Sequence, residues 1–431
     1  MKIVVMSNSG EFLPIVWRLK RYGLDVGIYI HNPQYRNNYN GILSKISFAN
    51  LKKEIQNAEI VIFDNTHPNE KTKHDIALLK IFGLKINSAS VFGLLADKLS
   101  KDHKVIGAST LTEELEVDRR KGMELAEKMG FAIPEYHEFK SIKEGAKFLQ
   151  NRKDLWVFKP DNNHCDLNYV ERFHGELLTK MLDEYLMRIE DKFEYILQKK
   201  IDGTEVSTEV WLNSEGPVLF NKTIEAKRLM DADLGLPTGS QSNTVWINKG
   251  SEPVTKMASY LKSDGYIGPC AITCIVKEEL RYLLKLSAGF VYDALYCLLT
   301  LIKGKLADFF LNDFKVDFQD GYAASQRLSI PPYPYATTKL RMDFAKDISI
   351  IGKLDDHPLF WGQDIYSDAG KLKCSGADGI LGVVAANGAS LEEAWGRVYN
   401  AIKKIKVCGY VQYRTDALAQ AKNRIRRLKV A

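Results

Sequence analysis

The residues best suited to chemistry are a few charged side chains at the ends of apolar runs. Lys159 closes the run Leu155–Phe158 and precedes the polar stretch DNNHCDLNYV. Such a lysine either faces solvent or meets an anion. Glu205 lies in the alternating stretch 203–213. It is an exposed strand glutamate, or a carboxylate that accepts two hydrogen bonds at once. Lys227 and Arg228 open KRLMDADLGLPTG. Arginine offers a planar fork for phosphate and lysine a point charge; a purely structural loop is the alternative. Cys270 and Cys274 share one strand face, with no histidine or second cysteine pair nearby. They read as reduced, buried thiols. His103 and His164 lie on polar stretches and read as solvated.

These side chains need elements to hold them. Cys270–Val276 and Arg281–Ser287 flank Lys277-Glu278-Glu279, which predicts a hairpin. Phe290–Ile302 is apolar nearly all round and closes on Gly304, which predicts a buried helix. Asp293 falls in its first turn, where the helix dipole favours a negative charge. Before this centre, Lys2–Met6, Val26–Ile30 and Ala58–Phe63 read as strands alternating with helices, hence a parallel sheet. The first turn holds one glycine rather than three, which argues against a dinucleotide site. Leu115–Met129 reads as one amphipathic helix stopped by Gly130. Residues 136–198 read as a small α+β unit. The stretch 203–213 and Phe220–Glu225 read as strands, and Lys227–Gly239 as a long loop. A strand near Gly379–Ala385 and a helix Leu391–Lys404 belong to a last domain.

The chain has 431 residues, a length that suits about three domains. Its 45% hydrophobic and 26% charged content is that of an ordinary globular protein. No apolar run reaches the ~18 residues of a membrane span, and the first residues lack a signal-peptide layout; a cytoplasmic protein is expected. The net charge of +6 is dispersed except in KNRIRRLKVA. That tail reads as the solvated face of a helix, and nucleic-acid binding is not expected.

Taken together, several stretches resemble the ATP-grasp enzymes, and within them phosphoribosylamine–glycine ligase (glycinamide ribonucleotide synthetase), closest to a short, divergent branch. They are VIGAS, LEVDRRKGMELAEKMGFAIPEY, WVFKPD, IDGTEVS, IEAKRLMDADLGLPTG, GYIGP, FVYDALYCLL, SGADGILGVVAANGASLEEA and YRTD. The resemblance implies an α/β and α+β multidomain fold. Residues 1–104 would form an N-terminal α/β domain, 105–135 with 199–325 the ATP-grasp core, 136–198 its lid, and 326–431 a C-terminal domain. Enzymes of this family make an acyl phosphate from ATP and a carboxylate, which an amine then attacks.

The resemblance places Lys159 at nucleotide phosphates, Gln198 and Lys199 where adenine is gripped, and Glu205 at the ribose hydroxyls. It brings Lys227 and Arg228 towards phosphates and substrate as the catalytic pair. The strand Tyr282–Ser287 would carry a Glu and an Asn to magnesium; here Lys285 and Ser287 stand there, opposite Ala271 and Thr273. Magnesium wants hard oxygen donors, so no metal ligands are assigned and magnesium is not expected. Lys285 would instead meet a phosphate directly. ATP is the candidate ligand. Between Lys159 and Gly175 there is also no glycine to bring backbone amides close to a ligand.

Two readings follow. One is a non-catalytic binding, regulatory or structural relative, as a homo-oligomer or paired with an active paralogue. The other is a working ATP-dependent carboxylate–amine ligase whose metal is held by Glu225, Asp231 or Asp233.

Overall fold

The computed structural model describes every residue except 66–71, 86–89, 151, 161–168, 171–175, 187–193, 332, 335–343 and 431. His164 and most of the polar stretch after Lys159 lie outside the described residues.

At the N-terminus, β1 (Lys2–Ser7), β2 (Asp25–Ile30), β3 (Ile60–Phe63) and β4 (Lys104–Ile106) form a parallel sheet in the order β2-β1-β3-β4. β1 and β3 are buried along almost their whole length, as strands of a sheet covered on both faces must be. The next sheet is antiparallel. It comprises β5 (Tyr136–Phe139), β6 (Trp156–Pro160), β7 (Tyr169–Val170) and β8 (Tyr195–Lys199), in the order β5-β8-β6-β7. Helix Ile142–Leu149 closes it, burying Ile142, Ala146 and Leu149 against Trp156, Phe158 and Leu197.

The body of the molecule is one eight-stranded sheet. Its strands are β9 (Thr204–Asn213), β10 (Gly216–Met230), β11 (Leu234–Ile247), β12 (Gly268–Lys277), β13 (Leu280–Ala288) and β14 (Tyr322–Ser329), joined by two from the C-terminal region. That region holds β15 (Ser349–Ile350), β16 (Phe360–Gly362), β17 (Ile365–Asp368), β18 (Lys371–Cys374) and β19 (Ile380–Gly388). The large sheet runs β13-β12-β9-β10-β11-β14-β19-β16, while β15, β18 and β17 make a small separate sheet. The expected boundary at 325/326 falls within β14, so the core and the C-terminal region share one hydrogen-bonded ladder. No helix among the described residues is long and apolar enough to cross a membrane.

The central hairpin forms as expected, with β12 and β13 turning at Glu278-Glu279. The helix after it is shorter than expected, Ala294–Thr300, and buried through Leu299. Asp293 makes no side-chain cap there. Its carboxylate instead takes a two-pronged bond from Arg327, at 2.9 and 3.0 Å.

Two elements differ from the sequence reading. The single helix expected over Leu115–Met129 is two, Thr110–Val117 and Arg119–Lys128. Asp118 takes an extended conformation between them, and its carboxylate accepts the amides of Arg120 and Lys121. That cap starts a new helix in mid-pattern.

The loop expected over Lys227–Gly239 is instead the tip of a long hairpin. β10 runs on to Met230, turns at Asp231–Asp233, and returns as β11 with Arg228 opposite Pro237. Residues distant in sequence hold it there. The fully buried Arg414 donates to Asp233 at 2.8 Å, to the Arg228 carbonyl at 3.1 Å and to both oxygens of Asp416. Thr415 N donates to Asp231 at 2.8 Å, and Arg424 to Asp233 at 3.1 Å. The basic tail is therefore a helix, Ala417–Val430, with Arg424 turned onto this hairpin.

Arg414→Met, which keeps the stem and removes the guanidinium, should lower stability by about 2 kcal/mol. It breaks a charged network whose acids are only partly covered. Amide exchange should quicken from Arg228 to Leu234, whereas Arg426→Met on the exposed face should shift stability by less than ~0.5 kcal/mol.

Candidate functional site

Three regions of the chain meet over the face of β9, β10, β12 and β13 and enclose a cavity of about 350 Å³. Strand alternation sets its floor. Ser207 lies on β9 opposite Thr273 on β12, which lies opposite Lys285 on β13. The Ser207 and Thr273 hydroxyls hydrogen-bond at 2.7 Å. Ala271 and Ser287 form the next cross-strand pair, and Glu225 and Lys227 on β10 line the side wall.

Lys285 points into this cavity but is not alone. Its Nζ lies 3.0 Å from Glu116 Oε1. The other oxygen of Glu116 accepts the Ala288 amide at 3.1 Å, which fixes the carboxylate at the end of β13. Nothing in the sequence marks Glu116. It sits near the end of an ordinary amphipathic helix, and its partners come from the other side of the core.

The other expected residues fall into two groups. Lys227 Nζ pairs with Glu205 Oε1 at 2.6 Å and Glu225 Oε2 at 3.4 Å. Burial opposes the Lys227 charge, but these two carboxylates outweigh it and raise its pKa. Burial likewise opposes ionisation of Glu205; Lys227 reverses the balance and holds its pKa below the usual value. Glu225, more deeply set, is pushed up by burial despite Lys227. Arg228, by contrast, does not line the cavity; its Nη1 donates to the Gly235 carbonyl at 2.8 Å, within the hairpin.

The second group lies on the sheet β5-β8-β6-β7. Lys159 donates to Gln198 Oε1 across the β6–β8 pair. Burial, then repulsion from Arg119 and Lys227, pulls its pKa down to about 7. Arg119 and Lys159 border a further cavity of about 360 Å³ between the sheet β5-β8-β6-β7 and helix Arg119–Lys128. The sequence reading missed Arg119, which stands in the run DRRKG directly after the Asp118 cap.

An anion bound at Lys159 should favour the charged amine. Titrating ADP at pH 8, above the pKa of about 7, should therefore take up protons from the buffer; at pH 6 it should take up far fewer. Calorimetry in buffers of different ionisation enthalpy checks this, and Lys159→Met should remove the difference.

Among the described residues, no three His, Cys, Asp or Glu side chains are grouped to hold a metal ion. Asp231 and Asp233 are absent from the cavity wall and are engaged by Thr415, Arg414 and Arg424. Glu225 and Glu116 do line the cavity, each beside a lysine.

No family model and no curated protein matches this sequence. Solved structures do. Phosphoribosylamine–glycine ligase from Thermotoga maritima is similar over 96% of this chain and 100% of its own, with a TM-score of 0.68 at 16% identity. N5-carboxyaminoimidazole ribonucleotide synthetase from Thermotoga maritima covers 95% of this chain and 100% of its own, with a TM-score of 0.54 at 12% identity. The biotin carboxylase domain of a thermophilic 2-oxoglutarate carboxylase, solved with ADP, without magnesium and with a disordered phosphate tail, covers 98% of each chain, with a TM-score of 0.53 at 13% identity. The chain has the ATP-grasp fold.

Proposed function

We propose that this chain is a nucleotide-binding ATP-grasp protein that uses an ammonium group where related ligases use metal, a non-catalytic relative with a binding, regulatory or structural role. The observation that carries the reading is the Lys285–Glu116 pair. It sets a cation, already steadied by one carboxylate, on the strand where the resemblance expects acids for magnesium. A phosphate arriving there gains an attraction; a divalent cation meets a like charge. In the structural neighbour solved with ADP and without magnesium the phosphate tail is disordered; phosphates fixed without metal would need a cation of the chain's own, the part Lys285 would play. Lys159 and Gln198 would hold the nucleotide from the sheet β5-β8-β6-β7, the proposed lid, and Glu205 on β9 and Lys227 on β10 would reach it from the large sheet. A homo-oligomer, or an assembly with an active paralogue, is the setting in which such a protein would act.

The test is calorimetric titration of ATP and ADP with and without magnesium, with ADP formation measured in parallel. Binding that ignores magnesium, with no ADP formed, is the expected result. Magnesium-dependent ADP formation would overturn it and favour a working carboxylate–amine ligase. For that second reading, Glu116 and Glu225 are the cavity carboxylates beside Lys285 and Lys227.

A further inference from the structure

Another cavity, of about 440 Å³, lies where the large sheet ends at β16, and it shares no lining residue with the one that holds Lys285. Its floor is apolar. Leu299 and Leu306 come from two successive helices, Ala294–Thr300 and Leu306–Leu311, and Ala385 from β19. Its charge is of one sign. Among the described residues, Arg18 from helix Leu13–Arg21 and Arg397 from helix Leu391–Ile402 are the only charged groups in its wall. Neither has a carboxylate in ion-pair contact among the described residues. Asp355, in the turn before β16, is taken by Arg21.

Neighbouring groups fix the Arg18 guanidinium without saturating it. It lies over the Trp361 ring, 3.9 Å from the centroid. Nη2 donates to the carbonyls of Pro358 and Phe360 at 2.9 and 3.1 Å, while Nη1 has no hydrogen-bond partner among the described residues. Arg397 is held in the same way. Its Nη1 donates to the backbone carbonyl and the side-chain oxygen of Asn387 at 2.8 and 2.7 Å, and its Nη2 has no partner among the described residues. Each fork is thus positioned by neutral oxygens and keeps donors for an acid group. Burial lowers the pKa of Arg18, as expected of a cation enclosed without a counter-anion. Two cations on one apolar hollow, with no acid among its described lining residues, leave a negative charge to be supplied.

We infer that this cavity binds a small organic acid, an apolar body carrying a carboxylate or a phosphate monoester. Arg18 and Arg397 supply the charge complement, and the floor of Leu299, Leu306 and Ala385 receives the body. A mostly apolar hollow of this size with a few placed polar groups is the usual form of a small-molecule site. Such a ligand would join the first helix of the chain to helix Leu391–Ile402, and so stabilise the fold on binding. The inference does not depend on nucleotide binding at Lys285.

The test is calorimetric titration of the full chain with phenylacetate, octanoate and phenyl phosphate as anionic probes and 2-phenylacetamide as the uncharged one. Each titration is repeated with excess ADP present. At least one anionic probe should bind, with or without ADP, and raise the melting temperature; 2-phenylacetamide should bind at least about tenfold more weakly. Phenylacetate against phenyl phosphate separates the two acid groups. Arg18→Gln and Arg397→Gln should each weaken the anionic probe about tenfold, the scale of one lost charge-assisted hydrogen bond, and leave ADP binding as in the parent. Melting curves show that each variant is folded, and Arg397 is exposed, so its variant decides the matter even if Arg18→Gln is unstable. If no anionic probe binds, if 2-phenylacetamide binds as tightly, if excess ADP displaces the probe, or if Arg397→Gln binds it as the parent does, the inference is wrong. A dimer in sedimentation that Arg397→Gln dissociates, with no probe bound, would overturn it in favour of an interface between copies.

Discussion

Asp293→Asn is expected to cost about 3–5 kcal/mol of folding stability, the range found when one partner of a buried ion pair is removed. The carboxylate side chain is 1% exposed and the Arg327 side chain 9%. Burial alone would weaken the Arg327 charge; the two bonds from Asp293 and the Tyr333 hydroxyl more than compensate and raise its pKa. Asparagine keeps the shape and one acceptor but removes the charge, so a guanidinium is left in the core with half its partners. The denaturant midpoint should fall with little change in slope. Replacing both residues, Asp293→Leu with Arg327→Met, should recover most of the loss, because no charge is then left uncompensated. A loss below ~1 kcal/mol for the single variant would mean the pair is weak and screened, as surface pairs are. The pair joins the start of helix Ala294–Thr300 to β14, the strand that leads into the C-terminal region.

Legibility in the sequence followed the range of the forces involved. The hairpin β12–β13 was readable because two apolar runs and a charged turn specify it locally. So was the alternating parallel sheet at the N-terminus. The break at Asp118 was hidden, because one capping carboxylate overrides a helical pattern that continues on both sides. The β10–β11 extension was hidden for a different reason. Glycine and proline in LGLPTG suggest a loop, while the groups that hold the hairpin, Arg414, Thr415 and Arg424, lie nearly two hundred residues on. The site shows the same division. Lys159 and Glu205 could be named from their strands, Lys227 from a stretch read as a loop and Lys285 only through the resemblance, and the structure brings Glu205 and Lys227 together. Glu116 could not, since it is an unremarked acid until the domains close over one cavity. Arg228 was chosen for its chemistry and is turned away by the hairpin geometry.

Lys285→Glu should invert the metal dependence of nucleotide binding. In the parent, phosphate at this position meets an ammonium, and magnesium is expected to add nothing. In the variant, the introduced carboxylate stands beside that of Glu116, a repulsive pair for phosphate but a suitable start for a hard divalent cation. One side chain passes from +1 to −1 near the ligand, a change of two charge units, each worth up to about 4 kcal/mol at an effective dielectric of 20. The Lys285 side chain is 59% exposed, so solvent screening removes most of that. About a 100-fold loss of ADP affinity without magnesium, ~2.7 kcal/mol, is the expected remainder, with magnesium recovering much of it. Glu116→Gln separates the pair's two roles. If Glu116 merely restrains Lys285, releasing it should tighten magnesium-free binding; if Glu116 positions the amine, binding should weaken while magnesium still adds nothing. A Lys285→Glu protein that binds ADP as the parent does, with or without magnesium, would place the phosphates elsewhere in the cleft, with Lys159 and Lys227 as the remaining cations to receive them.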